Sequence, residues 1–250
     1  MAEELVKVLW TENAFEKRQT SQKCPLYLLV WEYDFGSGVF TVLPHKYLGR
    51  PGNHIGDEIY HCVSGTLWVF LPDFNTIKRV EAGETLYMPA RTTHAPLNDT
   101  DEDTVVLTCS APLDPDADVH YTMDLADIIR FMSENKGQRD EEPRVFSMNE
   151  LISKGRSSKS PAEQRFVMGK TMTAGGFFIP PKQNLSQEVV RDTPTVWYAM
   201  KGELTIEGES ADGKKTVPQG KAAYLAPGAS VKVRNDGSDE LLVYYASAVK

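Results

Sequence analysis

The chain has 250 residues, 41% of them hydrophobic, a formal net charge of −8 and three cysteines, Cys24, Cys62 and Cys109. That length supports two cores, and so few, scattered cysteines exclude a disulfide scaffold or a cysteine zinc site. An acidic balance without a basic cluster excludes the phosphate contacts on which nucleic-acid binding rests.

No apolar run reaches the roughly 18 residues that a membrane span needs. The start, Met1-Ala2-Glu3-Glu4-Leu5, is acidic and lacks the basic stretch and apolar core of a secretory signal. A cytoplasmic protein with reduced thiols and neither membrane nor nucleic-acid partners is expected.

Along the chain, residues 26–33 are rich in β-branched and aromatic side chains and read as a strand, stopping at the turn-like composition of 34–38, Asp-Phe-Gly-Ser-Gly. Further strand-like runs cover 39–43, 66–71, 85–88 and 105–109. Between them stand Gly, Pro, Asn and Asp, and many short strands so bounded favour a barrel or sandwich. Apolar residues at 125, 128, 129 and 132 have helical spacing. The charged stretch 136–143 then reads as an exposed linker, and 154–161, Lys-Gly-Arg-Ser-Ser-Lys-Ser-Pro, as a surface loop. In the second half 195–206 and 241–246 are strand-like, with a hairpin turn at 211–214, Ala-Asp-Gly-Lys.

Two blocks in the first half carry chemistry. Asn53-His54-Ile55-Gly56-Asp57-Glu58-Ile59-Tyr60 runs into Cys62-Val63-Ser64-Gly65, and a second block starts at Gly83 and reaches Pro89, His94 and Asn98. Two histidines and one glutamate are ligand types that hold a divalent transition metal while leaving positions open for substrate. If Glu58 points into a barrel, strand alternation turns Tyr60 and Cys62 inward and Ile59 and His61 outward. His54, Glu58 and His94 are therefore the expected ligands, and Tyr60 the catalytic hydrogen-bond or proton donor. Asn53 and Arg91 are candidates for the polar end of an anionic substrate. His45 and His120 have no matching block and read as solvated or hydrogen-bonded.

The landmarks recur at a fixed offset. Adding 137 takes Gly65 to Gly202, Gly83 to Gly220, Asn98 to Asn235 and Val8-Leu9 to Val145-Phe146. A register held without net insertion indicates a duplicated domain rather than a solenoid. The same offset takes His54 to Arg191, Glu58 to Thr195 and His94 to Val231, which cannot together hold a divalent metal. One metal per chain is expected, in the first repeat.

These blocks resemble the two-part signature of the cupin superfamily, a histidine/glutamate block ending in glycine followed by a glycine-proline-histidine-asparagine block. The resemblance implies an all-β chain of two tandem cupin barrels, jelly rolls of the double-stranded β-helix type, joined by a short helical linker. The expected divisions are a metal-binding barrel over 1–113, a linker over 114–142 and a metal-free barrel over 143–250. Most metal-binding cupins carry a further histidine where this chain has Gly52. The remaining two-histidine, one-glutamate set looks like that of the cupin epoxidases acting on hydroxypropylphosphonate, although the helix-turn-helix domain of that family is absent. The resemblance implies Fe(II) and an oxygenase acting on a small polar or acidic organic molecule. The same ligands with Zn, Mn, Ni or Co would serve an isomerase, lyase or decarboxylase, and a non-enzymatic ligand-binding bicupin is the third reading. Family resemblance, with apolar Val6, Leu9 and Trp10 expected on an outer face, implies a homodimer.

Overall fold

The computed structural model of the protein describes residues 5–32, 34–113, 141–185 and 188–249, and residues 119–120 in their backbone alone. The helix expected at 124–132 lies outside the described residues, as does most of the expected linker. The described residues are nearly all β, with one α-helix, and none of their helices is long and apolar enough to cross a membrane.

The chain divides into two compact units. Its first strand, β1 (Val6–Leu9), belongs with the C-terminal one. Residues 14–146, with 169–171, form the N-terminal unit. Its strands are β2 (Glu16–Gln19), β3 (Pro25–Glu32), β4 (Phe35–Val42), β5 (Gly52–Asn53), β6 (Asp57–Ser64), β7 (Thr66–Leu71), β8 (Thr76–Glu81), β9 (Glu84–Met88), β10 (Ala95–Leu97), β11 (Thr104–Ala111), β12 (Val119–His120) and β13 (Arg144–Ser147). They form a seven-stranded sheet ordered β13-β9-β6-β11-β4-β3-β2, a three-stranded sheet β10-β7-β8 and the pair β12-β5. Alternation along the strands supplies the core: Phe40, Val42, Tyr60, Cys62, Leu86, Met88 and Val106 of the large sheet meet Leu67, Val69, Leu71 and Val80 of the smaller one. Each such buried side chain contributes about 1.5–3 kcal/mol.

The C-terminal unit continues with α1 (Asn149–Ser158), β14 (Ala162–Met168), β15 (Met172–Ile179), β16 (Val189–Arg191), β17 (Thr195–Lys201), β18 (Leu204–Gly208), β19 (Gly213–Val217), β20 (Ala222–Leu225), β21 (Ala229–Arg234) and β22 (Leu241–Ala248). Its two sheets run β1-β20-β17-β22-β15-β14 and β16-β21-β18-β19, and enclose Phe177, Trp197, Val231, Val233 and Tyr245 together with Val6.

The 137-residue offset is written into backbone geometry. Gly65 and Gly202 sit at φ +77° and +76°, a left-handed turn that a side chain would strain. The Asn98 side-chain amide donates to the carbonyls of Val42 and Glu102 at 2.9 and 2.7 Å, and that of Asn235 donates to Ile179 and Asp239 at the same distances. Within this repeat β1 and β13 correspond, and each completes a sheet by covering a strand edge, β1 on β20 and β13 on β9. Residues 5–13 therefore group with the C-terminal unit, unlike the expected 1–113 division. Val6, expected on an outer face, is fully buried in that unit's core, and Trp10 stacks on Tyr198 at 5.3 Å.

Local readings differ from the structure at three places. The stretch 34–38 is not a turn throughout, because Gly36, Ser37 and Gly38 are buried inside β4. A Cβ on Gly36 would lie 2.4 Å from Leu113 and one on Gly38 2.9 Å from the Tyr27 carbonyl, so these glycines serve close packing. The stretch 154–161 is not a loop for most of its length, since α1 runs to Ser158. Gly155 survives within the helix because a Cβ there would lie 2.1 Å from the Phe178 ring. Residues 195–206 are two strands rather than one, broken at Gly202. His61 does face away from Tyr60 and Cys62, but it is fully buried; its Nδ1 lies 3.0 Å from the Thr85 hydroxyl, and burial pushes its pKa down to about 3.

Candidate metal centre

His54 lies between β5 and β6, Glu58 on β6 and His94 at the start of the segment leading into β10. Backbone pairing brings the two blocks together. Gly52 and His94 exchange both hydrogen bonds, Gly52 N–H to the His94 carbonyl at 3.2 Å and His94 N–H to the Gly52 carbonyl at 2.9 Å. The Arg91 N–H donates to the His54 carbonyl at 2.8 Å. Two buried carboxylates fix the second block from outside: Asp57 Oδ1 accepts from Ala90 N–H at 3.0 Å and Asp73 Oδ2 from Thr93 N–H at 2.8 Å.

The ligand atoms of His54, Glu58 and His94 all lie within 4.8 Å of one another, and among the described residues this is the one group of its kind. His94 Nε2 stands 3.0 Å and His54 Nε2 3.5 Å from Glu58 Oε2. The His94 Nδ1 lies 2.9 Å from the Thr92 carbonyl; assigning the Nδ1 proton to that contact leaves Nε2 as the lone pair facing inward. Glu58 Oε1 accepts from the Thr108 hydroxyl at 3.2 Å, while Oε2 is buried and receives no hydrogen bond. A buried acceptor left without a donor, facing two imidazole nitrogens, fits a cation between them.

Electrostatics couple the three groups to one another. Burial raises the Glu58 pKa, but His54 and His94 outweigh it and hold the carboxyl at about 2. For His94 burial works downward and the Glu58 carboxylate overcomes it, leaving a raised pKa. Burial, and then Glu58, push Tyr60 well above its usual range, so it remains a protonated donor. The Tyr60 ring packs edge-on against Phe40 at 5.2 Å and against His94 at 5.6 Å.

The three candidate ligands and Tyr60 line a cavity of about 810 Å³. Asn53 and Arg91 do not line it. Along residues 52–54, alternation gives Gly52 and His54 to the cavity and turns Asn53 away, where it is buried with its Oδ1 3.5 Å from Arg91 Nη1. The polar groups that do line the cavity, Gln22, Tyr47, Arg50, Thr108 and Ser110 among them, carried no motif in the sequence. Thr92 and Asp57 at least lie inside the two blocks, but Thr108 is an ordinary strand threonine until β11 is placed beside β6.

Within the C-terminal unit the corresponding positions hold no ligand set. Thr195 donates to the Ser247 hydroxyl at 2.8 Å, Val231 is in the core, and the Arg191 guanidinium lies 5.0–5.8 Å from the rings of Tyr245, Trp197 and Phe177. A cationic side chain over aromatic faces occupies the place of a histidine ligand.

No family model and no curated protein matches the sequence. Solved structures do match in fold. A protein from Pseudomonas aeruginosa described as glyoxylate-induced aligns with TM-score 0.71 and 12% identity over 100% of this chain and 91% of its own. A cupin 2 conserved barrel domain protein from Leptotrichia buccalis aligns with TM-score 0.61 and 10% identity over 99% of both chains. The chain has the cupin fold. Salicylate 1,2-dioxygenase from Pseudaminobacter salicylatoxidans shares it, with TM-score 0.65 and 12% identity over 86% of this chain and 70% of that one. Identities this low carry the fold and leave activity to be argued from the site. On that fold, the His54, Glu58 and His94 group of this chain fits a two-histidine, one-glutamate metal site.

Proposed function

We propose that the chain is a metal-dependent oxygenase built as two tandem cupin barrels, with one Fe(II) held by His54, Glu58 and His94 in the first barrel and a structural, metal-free second barrel. The observation that carries this reading is the three-ligand group with a buried, unsatisfied Glu58 Oε2 inside an 810 Å³ cavity. With two histidines and one carboxylate, iron keeps open positions for dioxygen and an organic substrate and supplies the redox chemistry. The protein's own part is positioning. Thr92 fixes the His94 tautomer, Thr108 holds Glu58 by one oxygen, and Tyr60 stands ready to donate a hydrogen bond to an oxygen atom in the cavity. The shared fold of a salicylate dioxygenase supports the oxygenase reading. Three buried, unpaired cysteines support a reducing, cytoplasmic setting.

The test is metal content after purification without chelator, with oxygen uptake on adding organic acids. Iron with substrate-dependent uptake is expected. Zinc or manganese with anaerobic turnover would replace the oxygenase by a lyase or isomerase. Glu58→Ala and His94→Ala should each lose the metal and keep the parent's circular dichroism, and one metal per chain retained in both variants refutes the centre.

A further inference from the structure

The geometry points to the occupant of the cavity: an amphipathic organic carboxylate whose anionic end is held by Arg50 and whose apolar body lies along the cavity wall toward the metal centre. This rests on the proposed metal centre for the far end of the ligand, and on the cavity alone for the rest.

Charge comes first. Apart from His54, Glu58 and His94, Arg50 is the one charged side chain among the described residues lining the cavity, and no carboxylate among them pairs with it. With the histidines neutral, a divalent ion and Arg50 face the single carboxylate of Glu58, a formal excess of two positive charges. Such an excess inside low-dielectric walls attracts an anion. Arg50 also supplies a planar fork of donors that matches a carboxylate.

Depth comes second. Arg50 is exposed, on the segment between β4 and β5, whereas Glu58 and His94 are 6% exposed. Arg50 therefore marks the solvent end of the cavity and the candidate metal ligands its inner end. The apolar residues lining the same cavity are Leu26, Leu28, Trp31, Phe40, Leu48 and Leu113. A small polar acid would leave these walls wetted, while a ligand with an alkyl or aromatic body covers them. Arg50, rather than Asn53 or Arg91, is thus the anion partner, and the ligand is larger and more apolar than a small polar molecule.

Calorimetry on zinc-loaded protein reads binding without turnover. The probes are 3-phenylpropionate and octanoate, their amides, and acetate as the same charge without a body. The parent should bind each acid at least ~10-fold more tightly than its amide, the scale of one charge-assisted contact, and at least ~10-fold more tightly than acetate. Arg50→Gln should bring acid and amide to equal affinity without moving the amide, and Arg50→Lys should keep part of the preference. Equal binding of acid and amide by the parent, unchanged acid affinity in Arg50→Gln, or no binding of either acid at millimolar concentration overturns the assignment. Metal content separates the two claims. A parent that takes up no metal refutes the centre, while the acid–amide comparison still reads Arg50.

Discussion

Asp57 stands next to the proposed metal ligand Glu58 and yet contributes through the backbone. Its Oδ1 accepts from Ala90 N–H at 3.0 Å, its Oδ2 accepts from Thr171 N–H at 2.8 Å, and its own N–H donates to the Thr171 hydroxyl at 2.9 Å. The residue is 1% exposed, so its oxygens depend on protein partners rather than on bulk water. Asp57→Ala removes two hydrogen bonds to an ionised acceptor, about 1.5–3 kcal/mol each, and strands two N–H groups that water reaches only in part. The expected loss is about 3–5 kcal/mol. In Asp57→Asn one oxygen survives and an NH₂ is turned on the other N–H donor, for an expected loss of about 2–3 kcal/mol. Urea unfolding of metal-free protein reads both, with an unchanged slope showing that the transition itself is the same. Because Ala90 begins the turn that delivers His94, the same variants should bind zinc more weakly even where they remain folded. A loss below about 1 kcal/mol in Asp57→Ala would mean that the carboxylate does not fasten the second block.

Gly52 and His94 are directly paired, so side chains at both positions share a face, and Gly52 lines the cavity. Gly52→His should therefore bind metal at least as tightly as the parent while losing turnover, with the nitric oxide complex of the Fe(II) form weakened or altered; an unchanged complex and unchanged turnover would refute it. In the C-terminal unit Glu240 is held at about 2, below its usual 4.5, by hydrogen bonds with Arg156 and then Lys201. A depressed carboxylate stabilises fully above its unfolded value and loses that contribution as pH falls from about 4.5 through about 2. With both cationic partners about half exposed, the discounted contribution is about 1 kcal/mol. The stability gap between parent and Glu240→Gln should close over that window, and a gap constant from pH 7 to pH 2 would refute the assignment.

The group His54, Glu58 and His94 that the structure brings together was legible in the sequence because its determinants are local. His54 and Glu58 lie four residues apart across one bend, His94 sits in a turn marked by Pro89, and strand alternation alone places Tyr60 on the face of Glu58. Gly56 between them shows how tightly that bend is specified: a Cβ there would lie 1.8 Å from the Ala111 carbonyl oxygen, so only glycine passes. The recurring landmarks were legible for the same reason, since left-handed turns and asparagine side-chain bonds demand particular residues wherever they recur. What failed locally were segments whose residues answer to distant neighbours. Gly36 and Gly38 look like turn residues until Leu113 and the Tyr27 backbone close on them, and Gly155 looks like a breaker until the Phe178 ring packs over it.

Periodicity says which residues share a face, but not which face meets another strand far along the chain. Thr108 becomes a partner of Glu58 only because β11 lies beside β6, and β1 joins the C-terminal unit only because the free edge there belongs to β20. Arg50 carries no motif. Its meaning comes from lining the same cavity as the candidate metal ligands with no carboxylate among the described lining residues to pair with, and that is a property of space rather than of spacing. The sequence determined the candidate ligand group and the recurring turn and asparagine positions, because short-range backbone geometry restricts residue type. The occupant of the cavity was left to the tertiary structure, because charge and shape complementarity are summed over residues that the chain holds far apart.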